Sequence, residues 1–228
     1  MMAWPRLQIS NPMMTIIDKP KLDPKGEEIL ERLTSRGWNV SWATDPDLAG
    51  YAASDMDEQR IVFRDQPSSG DCETILHELL HFDLFDKGYP FIKSKSSTYQ
   101  SGVYILNDVF QHIIMKPEIE RAGFSIMTLE VPATLKLIGR LANNPPMNEP
   151  FWAALYMRGH FLHVEGSKLA LLEKHIRENH NSITMDKIIK AISQLPRENF
   201  SAEKYARCQN EVLKTLGLGG EVVIYKKK

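Results

Sequence analysis

Two histidines four residues apart, with a glutamate directly after the first, most constrain what this chain can fold into. They form the segment His77-Glu78-Leu79-Leu80-His81. At about 3.6 residues per turn, positions i and i+4 share one face of a helix, so the two imidazoles can converge on one tetrahedral metal ion. Glu78 lies roughly 100° round the helix, beside such an ion rather than on it. The spacing therefore predicts a helix that presents two zinc ligands and a carboxylate base together.

The residues around this segment predict a helix that is buried on nearly all sides. Ser69 or Asp71 can cap its start, and Gly88 followed by Pro90 ends it. The apolar residues occur almost all round the helix and are Ile75, Leu76, Leu79, Leu80, Phe82 and Phe85. Such a helix belongs in a core, where two histidines and a glutamate need partners.

A strand-like segment precedes this helix, and a second predicted helix follows it. The strand is Arg60-Ile61-Val62-Phe63-Arg64, and the second helix carries Asn107 and Asp108. With the His-Glu-His motif, these features resemble the zincin metallopeptidases, in particular compact gluzincin-like proteins such as the ImmA/IrrE family, over about residues 25–125. The resemblance implies an α+β zincin-like fold, with a small antiparallel or mixed sheet packed on the active-site helix. It also implies that residues 60–64 form an edge strand that pairs with extended substrate.

The third metal ligand is open between two residues of the second helix. A metzincin continuation is excluded, because no glycine occurs at the required place after His81. Gluzincins carry N-E-x-x-x-D here, and by that resemblance Asp108 stands at the glutamate ligand and His112 at the supporting aspartate. Either His112 is the ligand, with Asp108 or Asn107 orienting an imidazole, or Asp108 is the ligand and His112 supports it. We favour His112, because its longer side chain reaches farther from the helix axis.

The elements outside the motif can be predicted coarsely. Residues 24–36 have helical periodicity and 38–42 alternate like a strand, which gives the helix, strand, strand, helix order of a small zincin. Residues 87–101 are predicted to be a Lys/Ser-rich surface loop. Helices are expected at 132–143, 149–158, 167–178, 185–195 and 201–216, with a short terminal strand at 221–225.

The clearest break in the chain is Asn143-Asn144-Pro145-Pro146. It predicts a catalytic unit of residues 1–143 and a mostly helical subdomain of residues 144–228, packing on or near the cleft. Zincins commonly stabilise the oxyanion that forms during amide attack with a downstream His, Tyr or Arg. By that resemblance, the candidate oxyanion stabilisers in the subdomain are Tyr156, Arg158 and His160.

Composition excludes several classes of partner. The 228 residues are 43% hydrophobic with a formal net charge of −1, so no global field attracts nucleic acid or a membrane surface. Residues 1–14 do not read as a signal peptide, and no apolar run reaches the roughly 18 residues that span a bilayer. Cys72 and Cys208 give no disulfide framework. We expect a cytoplasmic protein with no nucleic-acid or membrane partner, and the sequence leaves its oligomeric state open.

Together these features predict a zinc metallopeptidase that acts on a peptide or protein substrate. Zinc held by His77, His81 and His112 would polarise the peptide carbonyl and lower the pKa of the attacking water to about 7. Glu78 would take the proton of that water and pass it to the leaving group. Two alternatives remain. One is a regulatory zinc-binding zincin scaffold that binds a protein partner through residues 60–64, and the other is a metal-dependent hydrolase of a non-peptide amide or ester.

Overall fold

Strands and helices alternate early in the chain and helices dominate later, so the structure is α+β, as predicted. The computed structural model describes residues 15–17, 19, 21–44, 52–55, 59–64, 71–139, 149–179, 183–196 and 200–225. The N-terminal stretch 1–14, Ser69, the break at 143–146 and the terminal lysines 226–228 lie outside these ranges. The chain divides into two compact units, Met1–Asp86 with Arg121–Phe124 and Lys87–Glu120 with Ser125–Lys228.

In the described residues of the first unit, the chain forms a four-stranded sheet and two helices. Its elements are β1 (Thr15–Ile17), α1 (Pro24–Ser35), β2 (Asn39–Thr44), β3 (Ala52–Asp55), β4 (Arg60–Arg64) and α2 (Asp71–Asp86). The strand order is β1-β2-β4-β3, in which β2 and β4 are parallel and the outer strands are antiparallel to their neighbours. Sequence periodicity correctly predicted α1, β2 and β4, and it missed the short strands β1 and β3.

The strand predicted to be a substrate-pairing edge is an inner strand. β4 pairs with β2 on one side and with β3 on the other, so its backbone groups are engaged on both sides. The edge prediction was therefore wrong for its five residues, Arg60, Ile61, Val62, Phe63 and Arg64. The consecutive buried run Ile61-Val62-Phe63 is typical of a strand covered on both faces. Among the described strands, β3 is the edge next to β4.

Glycines end the two helices of the first unit. Gly37 follows α1 with φ at 89°, and Gly88 follows α2 with φ at 85°. An L side chain is strained in this left-handed region, which is why glycine so often stands just after a helix. At the other end of α1, the Asp23 carboxylate accepts hydrogen bonds from the backbone N–H groups of Lys25 and Gly26. The predicted C-terminal ends of both helices are confirmed.

The second unit is mostly helical. Its elements are β5 (Phe91–Ser94), a 3-10 turn (Ser97–Tyr99), α3 (Gln100–Arg121), α4 (Ile126–Gly139), α5 (Glu149–Phe161), α6 (Gly166–Asn179), α7 (Met185–Ser193), α8 (Ala202–Leu216) and β6 (Val222–Tyr225). The prediction of a loop over residues 87–101 was wrong, because β5 forms by pairing with β6 at the far end of the chain. The predicted later helices and terminal strand are confirmed, although α4 begins before Pro132.

Helix α3 is the longest described helix, at 22 residues. It approaches α5 so closely that a Cβ added to Gly102 would lie 2.6 Å from the backbone nitrogen of Phe151. Helix α3 belongs to the same compact unit as the later helices. The predicted domain boundary near residue 144 stays a prediction. Among the described helices, none combines the length and the apolar character needed to cross a membrane.

Candidate metal centre

Helix α2 presents its two histidines side by side. The Nε2 atoms of His77 and His81 lie 3.3 Å apart, and both side chains are buried. Two nitrogens bound to zinc at about 2.0–2.1 Å with a tetrahedral angle would be separated by about 3.3 Å. The spacing therefore fits two ligands of one ion, and in the metal-free protein it suits an N–H···N hydrogen bond.

His112 on α3 joins these two histidines in one group. Its ligand atom and those of His77 and His81 all lie within 4.8 Å of one another, and all three residues are buried. Imidazole nitrogen is a ligand that zinc, copper, iron and nickel accept. Three protein ligands with a fourth position open are typical of catalytic zinc sites. The group could hold a metal ion, and it contains the ligand favoured by the sequence argument.

Glu78 is buried beside the first histidine. Only 2% of the residue is exposed, and its Oε1 lies 3.6 Å from His77 Nδ1, beyond ordinary hydrogen-bond distance. An ionised carboxylate in such an interior is costly unless a cation compensates it. The position next to two imidazoles is the one that a general base near a metal ion would need.

Asn107, predicted to be a ligand or a support for one, is bonded to strand β5. Its Oδ1 accepts from the Ile92 N–H at 2.8 Å, and its Nδ2 donates to the Ile92 carbonyl at 2.7 Å. The side-chain amide thus pairs with the strand backbone as a neighbouring strand would. Asn107 ties α3 to β5 within the second unit.

Asp108, the alternative third ligand, is paired with an arginine. Arg158 on α5 donates from Nη1 to Asp108 Oδ2 at 3.1 Å, and its Nη2 contacts the Glu130 carboxylate of α4. Arg158 and Glu130 are both buried. Burial lowers the pKa of Arg158, and the charge of Asp108 opposes that shift. This pairing favours His112 over Asp108 as the third ligand.

The predicted oxyanion stabilisers do not form one cluster. Arg158 lies about 200° round α5 from both Tyr156 and His160, because it is two residues from each. Tyr156 is partly buried and has a raised pKa because of that burial and the nearby charge of Glu173. His160 is exposed. The one buried member, Arg158, is already balanced by two carboxylates.

Three residues that join α2 to α1 and to the segment just after α1 were not predicted from the sequence. Arg32 donates from Nε to Asp83 at 2.8 Å, and Trp38 donates from Nε1 to Asp86 at 3.0 Å. Arg36 also pairs with Asp86. Asp83 is almost fully buried, two residues after His81. The available signal was a pair of aspartates near the end of α2, together with Arg32 in α1 and Arg36 directly after that helix.

Comparison with known proteins identifies no family for this chain. No protein-family model, curated protein or solved structure matches the chain. The functional interpretation therefore depends on the residues of the site and their chemistry.

Proposed function

We propose that this chain is a zinc-dependent metallopeptidase, with His77, His81 and His112 as metal ligands and Glu78 as the general base. The observation that carries the proposal is the buried group of three imidazoles, with a buried carboxylate in the same turn of α2. The H-E-x-x-H spacing that gives this arrangement is typical of metalloproteases.

The order of elements supports a zincin-like arrangement for the first unit. Helix α1 precedes β2, β3 and β4, and α2 with its histidines follows. Strand β3 is antiparallel to β4 and has a neighbour on one side only among the described strands. An extended peptide adds to a free sheet edge through main-chain hydrogen bonds. We therefore propose β3, in place of β4, as the strand that pairs with substrate.

Glu78 would carry the proton in this reaction. When bound, zinc supplies Lewis acidity that polarises the scissile carbonyl and lowers the pKa of water to about 7. The Glu78 carboxylate accepts a proton from the attacking water and then donates it to the departing amine, so that it ends the cycle ionised. Its burial keeps bulk water away from this transfer and holds the carboxylate beside His77.

A substitution of Glu78 tests catalysis independently of metal binding. Glu78→Gln should keep the metal content of the wild type and lower cleavage of a fluorogenic peptide library by about 10²–10⁴-fold. Glu73→Gln, on the same helix but partly exposed, is the matched control and should cleave at the wild-type rate. Cleavage by Glu78→Gln at an undiminished rate would contradict the mechanism.

The alternative of a regulatory scaffold assumed that a protein partner binds along β4. A partner strand cannot add to β4, because β2 and β3 already flank it. Zinc retention without any cleavage of a broad peptide library would favour a non-catalytic scaffold or a hydrolase of non-peptide amides and esters. In that case, a panel of small amide and ester substrates distinguishes the two.

A further inference from the structure

We propose that Asn107 and Asp108 are positioning residues that anchor α3 and thereby set His112 for metal binding. We call these two residues the α3 anchor. The inference rests on the metal-binding part of the proposed function and does not depend on peptide cleavage. The sequence suggested that these residues act on an imidazole directly, whereas their contacts indicate that they act through the helix.

The Asn107 side of the anchor fixes α3 to a strand. Two hydrogen bonds of 2.8 and 2.7 Å join one amide to both backbone groups of Ile92. Ile92 in turn pairs with Ile224 of β6, and Gln209 of α8 donates to the neighbouring Pro90 carbonyl at 3.3 Å. The strand that holds Asn107 is therefore itself held by the end of the chain.

The Asp108 side fixes α3 to two helices. The Arg158 guanidinium bonds Asp108 and also contacts Glu130, so α3, α4 and α5 meet at one buried cation. Arg158 suits this role because its planar fork of donors can contact two carboxylates at once. Loss of the Asp108 carboxylate would leave Arg158 paired with Glu130 but would remove the link from α3 to α5.

The contacts of Asn107 and Asp108 leave α3 in different directions, and together they restrain its movement. Consecutive helical residues point about 100° apart, so the pair resists both rotation and translation of α3. His112 follows Asp108 by four residues and therefore lies on nearly the same face, about 6 Å farther along the axis. A rotation of α3 by about 20° would move a side-chain tip by about 2 Å. Metal ligation tolerates only about 0.2 Å, so the anchor has to hold the helix closely.

Cobalt(II) binding tests the anchor, because both its affinity and its visible absorption report on ligand geometry. Asp108→Leu removes the contact with Arg158 and should weaken cobalt(II) binding by about 10–100-fold, with a changed visible spectrum. Asp108→Asn keeps an oxygen that accepts from Arg158 and should restore most of the affinity. Arg158→Lys keeps the charge but loses the fork, and it should give a smaller loss than Asp108→Leu.

Two controls separate positioning from general destabilisation. Glu120→Gln changes an exposed carboxylate on the same helix, paired only loosely with Lys116 at 3.9 Å, and should bind cobalt(II) as the wild type does. Ile188→Ala creates a cavity in the core around α7. It should lower the unfolding temperature without changing the visible spectrum.

Several outcomes would overturn the proposal. Wild-type affinity and spectrum in Asp108→Leu would show that the anchor is not needed, and an equal spectral change in Ile188→Ala would show a general stability effect. Equal losses in Asp108→Asn and Asp108→Leu would indicate that Asp108 is itself a ligand. If Asp108→Leu does not fold, Asp108→Asn and Arg158→Lys still test the order of affinities. A wild type that binds cobalt(II) but cleaves no peptide refutes the peptidase alone, whereas one that binds no cobalt(II) refutes the metal site and the anchor together.

Discussion

Helices α2 and α3 both supply histidines to the candidate site, but they place them by different means. On α2, the two histidines are four residues apart, so the helical repeat places them on one face, where their Nε2 atoms lie 3.3 Å apart. On α3, a single histidine is supplied, and the preceding residues Asn107 and Asp108 are bonded to β5 and α5. The two histidines of the candidate site on α2 are thus brought together within one turn, whereas the helix that carries His112 has contacts with segments distant in sequence.

The largest expected effect comes from the histidines themselves. His81→Ala removes one of the two locally placed ligands and should abolish tight zinc binding, measured by metal analysis after dialysis. His112→Ala should leave the α2 pair able to bind zinc weakly, so its affinity should fall less than that of His81→Ala. His163→Ala, which changes an exposed histidine, is the control. Full metal retention in His112→Ala would remove α3 from the site.

A methyl group at the closest approach of α3 and α5 should have the next largest effect. The added Cβ of Gly102→Ala would lie 2.6 Å from backbone atoms of Pro150 and Phe151, so one of the two helices must shift. We expect a loss of about 1–3 kcal/mol in the free energy of unfolding, measured in urea, together with weaker cobalt(II) binding. Gly139→Ala meets nothing within 4 Å and should leave both unchanged. Normal cobalt(II) affinity in a destabilised Gly102→Ala would show that His112 tolerates movement of α3.

Removal of the link between α1 and α2 should have the smallest effect on the metal. Arg32→Met breaks the 2.8 Å bond to buried Asp83, and we expect a loss of about 1 kcal/mol in the free energy of unfolding, because Arg32 is partly exposed. The His77 and His81 spacing is internal to α2, so the cobalt(II) spectrum should not change. Lys174→Met breaks only an exposed pair with Glu178 and should not alter stability measurably. A changed spectrum in Arg32→Met would show that α2 also needs outside support.

The predictions from sequence succeeded where the signal is local. Helical periodicity and a terminal glycine located α1, the histidine spacing and a terminal glycine located α2, and alternation located β2. They failed where pairing is between distant segments. The partner of residues 91–94, β6, lies about 130 residues further along the chain, so their own pattern did not reveal a strand. The resemblance to zincins implied that β4 is an edge, and the short strand β3 that pairs with it was not recognised. A strand's neighbours do not follow from its own pattern.

The sequence by itself determined that a buried helix carries two imidazoles and a carboxylate at metal-site spacing, since that spacing is fixed by the helical repeat. It also determined the α+β class. Only the tertiary structure decided that His112 joins these imidazoles, and that Asp108 pairs with Arg158. The physical reason is that the helical repeat fixes the relative positions of residues one turn apart. The partner of a buried charge, in contrast, is a residue distant in sequence that the fold packs beside it.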